Sequence, residues 1–186
     1  MRDQIVAGNW KMNNDQNETQ SLLNELKKYN KPEKIRVIVA PAFTQLSQSV
    51  DLLKDDIITV AAQNMNLAVS GAHTGEISVN MLKGVGVNLV VLGHSERRSL
   101  YHENNLTLAG KVNTALEAGM EIIFCFGEQL AERKSNRHFN VVKEQLSEAL
   151  FSLSVAAWSQ IILAYEPVWA LSLIHISEPT RRRGIS

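Results

Sequence analysis

Cysteine is almost absent from this sequence, which contains Cys125 alone among its 186 residues. A single thiol cannot form a disulfide within the chain, and it cannot supply the several thiolates of a cysteine-based metal cluster. So little cysteine is typical of proteins from reducing compartments, where disulfides do not persist. We therefore expect a cytoplasmic protein.

Long apolar runs and an excess of charge are missing as well. No segment approaches the ~20 consecutive apolar residues that a membrane-spanning helix needs. The N-terminus carries an acid at position 3 and lacks the apolar core of a signal peptide. The 19 basic residues are balanced by 19 acidic ones, which argues against a general affinity for nucleic acid or anionic membranes. We expect neither as a partner.

Short runs rich in valine and isoleucine recur along the chain, with helical patterns between them. The runs begin at Gln4, Ile35, Ile57, Asn88, Glu121 and Gln160. Most are continuously apolar, as in parallel strands that are covered on both faces. Their starts lie 22 to 39 residues apart, which fits one strand and one crossover helix. The pattern predicts six successive βα units, in either an eight-stranded barrel or an open doubly wound sheet.

Three of the intervening segments have the apolar spacing of amphipathic helices. They cover residues 17–29, 104–119 and 140–153. Asn14, Asp15 or Asn17 can cap the start of the first helix, and Gly119 can cap the end of the second. These features predict where the helices between the strands begin and end.

Polar side chains follow several of the predicted strands at the point where each strand ends. They are Asn9 and Lys11 after the first, Gln63, Asn64, Thr74 and Glu76 after the third, His94, Ser95 and Glu96 after the fourth, and Glu166 after the sixth. In both architectures the carboxyl ends of the strands meet on one side of the sheet, where active sites lie. We therefore expect these side chains to converge.

A carboxylate, an imidazole and an ammonium group in one pocket suit the abstraction of a proton next to a carbonyl group. Glu166 would take the carbon-bound proton, His94 would hydrogen-bond the carbonyl oxygen, and Lys11 would offset the negative charge that develops. Positive peptide dipoles at a helix N-terminus would keep His94 neutral. Each residue also has a purely structural interpretation: Lys11 as a solvated loop residue, Ser95 and Glu96 as helix caps, and Glu166 as a turn residue.

Seven motifs occur in a recognisable order and spacing over residues 1–170. They are AGNWKMN, APAFTQL, AAQNMN, SGAHTGEIS, LGHSERR, CFGE and AYEPVWA. In these motifs the chain resembles the triosephosphate isomerase family, with CFGE standing where the family usually has Cys-Ile-Gly-Glu. The resemblance implies a (β/α)8 TIM barrel. It also implies interconversion of dihydroxyacetone phosphate and glyceraldehyde 3-phosphate through an enediol-type intermediate, without metal or organic cofactor.

The resemblance implies a role for each matching residue. Glu166 matches the general base, His94 the electrophile, and Lys11 the cation near the substrate oxygens. Asn9 and Ser95 match residues that line the substrate site, and Glu96 matches a carboxylate that lies behind them. Pro167, Val168 and Trp169 match the first hinge of the loop that closes over the substrate. Thr74 lies in a loop that resembles the one inserted into a partner subunit, so the resemblance implies a homodimer.

After Ala170 the sequence reads LSLIHISEPTRRRGIS and departs from the family pattern. The family continues with a loop that contains Gly-Thr-Gly and then with two further βα units. We therefore divide the chain into a partial barrel at residues 1–170 and a tail at residues 171–186 that is artefactual or disordered. A barrel takes about 250 residues and commonly binds phosphate after strands seven and eight. We expect an incomplete barrel of about six βα units and an inactive chain.

Two other functions stay open at this stage. One is another phosphate-binding barrel isomerase or an aldolase-like lyase, with a Schiff base at Lys11. The other is a fragment without catalytic activity that pairs with other barrel chains through exposed strand edges or through the Thr74 loop. An incomplete sheet would leave such edges free to pair.

Overall fold

The computed structural model describes residues 4–29, 34–167 and 169. The strands are β1 (Gln4–Asn9), β2 (Ile35–Ala40), β3 (Thr59–Val60), β4 (Leu89–Leu92), β5 (Glu121–Phe126) and β6 (Ile161–Tyr165). The α-helices are α1 (Gln16–Lys28), α2 (Leu46–Leu53), α3 (Val79–Gly84), α4 (Ser95–Leu100), α5 (Asn105–Glu117), α6 (Leu130–Lys134) and α7 (His138–Leu150). Short 3₁₀ helices precede α2 and β6. The tail at 171–186 lies outside the described residues.

The strands pair in parallel and in the order of the sequence. β1, β2 and β3 form one ladder, β4, β5 and β6 form another, and a parallel bridge between Ala62 and Val90 joins the two. An open doubly wound sheet would reverse its strand order at one point. The order from β1 to β6 has no such reversal, which is the arrangement of a barrel wall. The expected series of six βα units is therefore confirmed.

Curvature of this wall is visible in a contact between β2 and β5. The Arg36 guanidinium donates two hydrogen bonds of 2.6 Å to the carboxylate of Glu121. The two strands are three positions apart, which is about 14 Å in a flat sheet. Such a close contact fits a sheet whose concave face brings the strands towards each other.

Two apolar layers follow from the alternation of side chains along the strands. The inner layer contains Ile38, Ala40, Ala61, Leu89, Val91, Ile123 and Cys125, which all lie on the concave face. The outer layer packs the opposite faces of the same strands against the helices and includes Val39, Val90, Leu92, Ile122 and Phe124. The central strands are thus covered on both sides, as their apolar sequences predict.

The two outermost strands do not follow that prediction. Val6 on β1 is 59% exposed, and Leu163 on β6 is 46% exposed. Among the described residues each of these strands has a neighbour on one side only, so their outward side chains receive less cover. β3 is also shorter than its apolar run predicts, because the chain pairs with β2 at Val60 and then with β4 at Ala62.

The predicted helix signals are confirmed where they are most specific. Asp15 caps α1 by accepting hydrogen bonds from the backbone N–H groups of Asn17 and Glu18, and the Asp15 backbone N–H donates one to the Glu18 carboxylate. Gly119 has a φ of 72° just past α5, a left-handed conformation that glycine adopts without strain. Within the described part of the chain, every helix is too short or too polar to span a bilayer.

Candidate functional site

A tight turn after β4 positions the candidate imidazole. Gly93 has a φ of 78°, and a Cβ atom placed on it would lie 2.8 Å from the carbonyl oxygen of Cys125. Only glycine fits there without displacing β5. The turn makes His94 the N-terminal capping residue of α4, as the sequence predicts, and it leaves only 9% of this residue exposed.

The hydrogen bonds of His94 define which nitrogen carries the proton. The backbone N–H of Glu96 donates to Nδ1 of His94 at 3.2 Å. An imidazole nitrogen that accepts a hydrogen bond is unprotonated, so the neutral ring carries its proton on Nε2. That nitrogen lies 3.6 Å from Oε1 of Glu166. The geometry therefore supports a neutral donor that points towards the candidate base.

Glu166 follows β6 and continues the inward-facing series of Ile162 and Ala164. Its backbone N–H donates to the carbonyl of Phe126 at 2.7 Å. The Oε2 atom accepts a hydrogen bond of 3.1 Å from the backbone N–H of Ser95, and the side chain is 17% exposed. The carboxylate is thus held at the carboxyl end of the strands, against the start of α4.

Lys11 lies at the carboxyl end of β1 in a left-handed conformation, with a φ of 55°. Such backbone is uncommon for a residue with a side chain. It is held by neighbouring groups, because the Lys11 N–H donates to Oδ1 of Asn9 at 3.0 Å and the amide of Gln63 donates to the Lys11 carbonyl at 2.8 Å. The same Gln63 amide donates to the carbonyl of Ala40, which ties Lys11 to the end of β2.

These residues form one connected series across the mouth of the sheet. The Lys11 ammonium pairs with Oε1 of Glu96 at 2.6 Å, and Oε2 of Glu96 lies 3.6 Å from Nδ1 of His94. Two cavities of about 150 Å³ each adjoin the series. Asn9, Lys11, His94 and Glu96 line one of them, and Ser95 and Glu166 line the other. The structure therefore brings together the residues that the sequence analysis assigned to the site.

Arg98 supports the turn after β4 through hydrogen bonds, and the sequence analysis assigned it no role. Its guanidinium donates to the carbonyls of Gly93 at 2.8 Å and Cys125 at 3.2 Å, and to Oδ1 of Asn105 at 2.7 Å. Burial lowers the pKa of Arg98, although the nearby carboxylates act in the opposite direction. The group remains a cation that joins the ends of β4 and β5 to the start of α5.

Glu128 is a second residue without a predicted role. It has no exposed surface and accepts hydrogen bonds from the Tyr165 hydroxyl and from Nε1 of Trp169. Burial alone would raise the pKa of Glu128. The pKa is nevertheless lowered, because these two hydrogen bonds, a further hydrogen bond from the Glu128 backbone and the positive charge of Arg133 all stabilise the carboxylate. Its partners are distant in sequence, so the predicted strands carried no signal for it.

Cys125 lies on the concave face beside the candidate base. The side chain is 2% exposed, and its thiol lies within the electrostatic influence of the Glu166 carboxylate. Burial and the negative charge of Glu166 raise the pKa of this thiol far above its ordinary range. Cys125 therefore stays protonated in the folded chain.

The remaining predicted residues lie outside this series. Thr74 is exposed in the loop between β3 and α3, which is braced by a hydrogen bond of 2.7 Å from Asn66 to Glu76. Pro167 follows Glu166, and Trp169 contacts Glu128. Val168 is outside the described residues. Within the described parts of the chain, no group of three or more histidine, cysteine, aspartate or glutamate residues could hold a metal ion.

Comparison with known proteins gives a consistent result. A profile of the family described as triosephosphate isomerase matches residues 4–180. The triosephosphate isomerase of Flavobacterium psychrophilum is 51% identical over 96% of this chain and 72% of its own length. That of Flavobacterium johnsoniae is 49% identical over the same shares. That of Porphyromonas gingivalis is 45% identical over 92% of this chain and 69% of its own length.

The profile extends beyond Ala170 into the segment that the sequence analysis separated as a tail, so the boundary at that residue stays a prediction. The fold and the comparisons agree on the rest. With parallel βα units in barrel order, and with about half of its residues shared with relatives over nearly its whole length, this chain belongs to the triosephosphate isomerase family.

Proposed function

We propose that the chain interconverts dihydroxyacetone phosphate and glyceraldehyde 3-phosphate, with Glu166 as the base and His94 as the electrophile. This proposal departs from the inactivity expected from the sequence, because the described residues bring the base and the electrophile together. The observation that carries this proposal is the 3.6 Å approach of Nε2 of His94 to Oε1 of Glu166, between two largely buried side chains. A substrate with adjacent carbonyl and hydroxyl groups would present a carbon-bound proton to the carboxylate and both oxygens to the imidazole.

The protons that the site can donate and accept support this assignment. Glu166 takes a proton from the carbon next to the carbonyl, and electrons move onto the carbonyl oxygen to give an enediolate. His94 donates from Nε2 to that oxygen and accepts the proton of the neighbouring hydroxyl. Glu166 then returns its proton to the other carbon. The Lys11 ammonium contributes positive charge where negative charge develops.

The alternative of a Schiff base at Lys11 is not favoured by the geometry. A Schiff base requires a neutral amine as nucleophile. Nζ of Lys11 instead pairs with the Glu96 carboxylate at 2.6 Å, so it would have to leave this ion pair before it could attack a carbonyl carbon. Trapping with borohydride in the presence of substrate would reveal such an adduct, and we expect none.

Proton exchange with solvent tests the proposed reaction directly. The purified chain is incubated with dihydroxyacetone phosphate in deuterium oxide, and NMR follows both the appearance of glyceraldehyde 3-phosphate and deuterium at the carbon that receives a proton from Glu166. We expect both signals from the wild-type chain and neither from Glu166→Gln. Absence of both from a folded wild-type chain would overturn the proposal.

A cytoplasmic location stays a prediction from the cysteine content.

We also propose that the loop around Thr74 docks on a second copy of the chain. It is exposed from Gly71 to Glu76, and it carries the half-exposed apolar side chains of Leu67 and Val69. Internal hydrogen bonds of 3.0 Å between His73 and its neighbours give it a defined shape. An ordered loop with apolar side chains suits insertion into a partner.

The oligomeric state tests this second proposal. Light scattering coupled to size exclusion should give twice the chain mass of 20.7 kDa for the wild type. Thr74→Arg should shift the distribution towards monomer, because a bulky charge would have to be desolvated in the interface. A wild-type chain that stays monomeric at high concentration would rule the proposal out.

A further inference from the structure

We propose that Gln145 is a positioning residue that fixes the backbone of Glu166 through Gly127. This inference rests on the proposed function, since it assigns Glu166 the role of base. Gln145 lies on α7, outside the strand ends where the candidate residues are found. It belongs to none of the seven family-like motifs, so neither the strand pattern nor the motifs indicated it.

The first step is a pair of reciprocal hydrogen bonds. Oε1 of Gln145 accepts from the Gly127 N–H at 2.9 Å, and Nε2 donates to the Gly127 carbonyl at 3.0 Å. One side-chain amide therefore satisfies both backbone groups of a single residue, much as a neighbouring strand would. Since α7 is anchored in the core by Ala149 and Leu150, the amide ties Gly127 to a fixed helix.

The second step is the contact between Gly127 and Glu166. A Cβ atom built on Gly127 would lie 1.9 Å from the carbonyl oxygen of Glu166 and 2.5 Å from its carbonyl carbon. The two backbones thus touch where only glycine can stand. β5 and β6 pair up to Phe126 and Tyr165, so Gly127 and Glu166 are the first residues beyond the ladder. Their relative position depends on this contact.

The third step links the backbone of Glu166 to its chemistry. The carboxylate reaches Nε2 of His94 at 3.6 Å and the Ser95 N–H at 3.1 Å. A displacement of the Glu166 backbone moves both distances at once. Because the contacting carbonyl belongs to the peptide bond with Pro167, the same displacement moves the beginning of the predicted hinge. Misplacing a reacting group by about 1 Å can lower a rate by about a hundredfold.

Gln145→Met removes both hydrogen bonds and keeps the length of the side chain. We expect kcat to fall by about tenfold or more, with KM changed by less than about threefold. The matched control is Gln20→Met, the same substitution at an exposed position of α1, which should leave both constants unchanged. A kcat of Gln145→Met within twofold of the wild type would overturn the inference.

Gln145→Glu separates positioning from a general effect on stability, and it serves if Gln145→Met does not fold. A protonated carboxyl offers one donor and one acceptor, as the amide does, whereas a carboxylate only accepts. The Gly127 carbonyl therefore keeps its partner below the pKa of the new carboxyl and loses it above. The kcat of the variant, divided by that of the wild type at the same pH, should rise as the pH is lowered. A ratio independent of pH counts against positioning.

Amide hydrogen exchange distinguishes failure of this inference from failure of the proposed function. The Glu166 N–H donates to the Phe126 carbonyl at 2.7 Å, and its exchange is measured in wild type, Gln145→Met and Gln20→Met. Faster exchange at Glu166 in Gln145→Met alone supports the link through Gly127, even if the wild-type chain shows no turnover and the proposed function fails. Unchanged exchange and unchanged kcat in an active enzyme overturn the link while the proposed function stands.

Discussion

Trp169 donates its indole N–H to Oε1 of Glu128 at 3.0 Å, and Glu128 is a carboxylate without exposed surface. The hydroxyl of Tyr165 donates to the same carboxylate at 2.8 Å. Tyr165 precedes Glu166 directly, and Trp169 follows it three residues later. A single buried anion thus holds the chain on both sides of the candidate base.

Replacing Glu128 with glutamine should destabilise the fold. The amide keeps the shape of the side chain, but it removes the charge and replaces one acceptor oxygen by a donor. We expect the free energy of unfolding to fall by about 2 kcal/mol at neutral pH, since hydrogen bonds to a charged group are worth about 1.5–3 kcal/mol. Urea unfolding measures this loss, with Glu117→Gln at an exposed position of α5 as the control.

The same comparison has a predicted pH dependence. The pKa of Glu128 is lower in the folded chain than in the unfolded one. Its stabilising contribution is therefore present above the unfolded pKa and lost as the pH falls through the folded pKa. The difference between wild type and Glu128→Gln should shrink over that acidic range. A difference that stays constant would show that charge at Glu128 is not what stabilises the wild type.

Glu166→Asp should lower kcat while retaining a carboxylate at the site. The side chain is one methylene shorter, so its oxygens are drawn back from Nε2 of His94 and from the carbon-bound proton. We expect the kcat of Glu166→Asp to fall by about a hundredfold or more, because general acid–base catalysis contributes about 10²–10⁴-fold. The kcat of Glu166→Gln should fall further. Steady-state kinetics of both variants measure this order. A glutamine variant as active as wild type would remove Glu166 from the role of base.

The sequence was sufficient to predict much of this site because its residues follow apolar runs. Parallel strands bring their carboxyl ends to one side, so Lys11, His94 and Glu166 are expected to converge from their sequence positions alone. The capping position of His94 followed from a strand end beside a helical pattern. Sequence position alone carries this information whenever a strand and its polar end are contiguous.

The residues that support the site could not be predicted in this way. Gln145 acts across 18 residues and Glu128 across 37 and 41, so their roles depend on how α7 and β6 pack against β5. Arg98 was visible within a motif, but its carbonyl partners at Gly93 and Cys125 depend on the turn after β4. The exposure of β1 and β6 likewise follows from strand neighbours and not from their apolar composition.

Arg98→Lys should destabilise the chain although it conserves the charge. Three guanidinium nitrogens reach the carbonyls of Gly93 and Cys125 and the side chain of Asn105, whereas an ammonium cannot match the planar arrangement. At least one acceptor is left without a donor, which costs about 1–3 kcal/mol. Denaturant unfolding measures the loss, and Arg137→Lys at an exposed position provides the control. An unfolding midpoint equal to that of the wild type would contradict the bridging role.

Cys125 should make the fold less stable at alkaline pH. Burial, followed by the charge of Glu166, raises the pKa of its thiol above the ordinary value of 9.0. The unfolded chain then loses this proton as the pH rises past that value, while the folded chain keeps it. The unfolded state binds fewer protons, so the free energy of unfolding falls with pH, by up to about 1.4 kcal/mol for each pH unit.

Cys125→Ala isolates this contribution, because Tyr165 also has a raised pKa and adds a similar decline at higher pH. The variant should be less stable than the wild type near neutral pH, where it has lost buried sulfur contacts. Its stability should then decline less steeply between the ordinary pKa of the thiol and that of tyrosine. Chemical denaturation at a series of pH values gives both slopes. Parallel curves for the two proteins would mean that the thiol ionises in the folded chain as readily as in the unfolded one, and Cys125 would then be reactive beside Glu166.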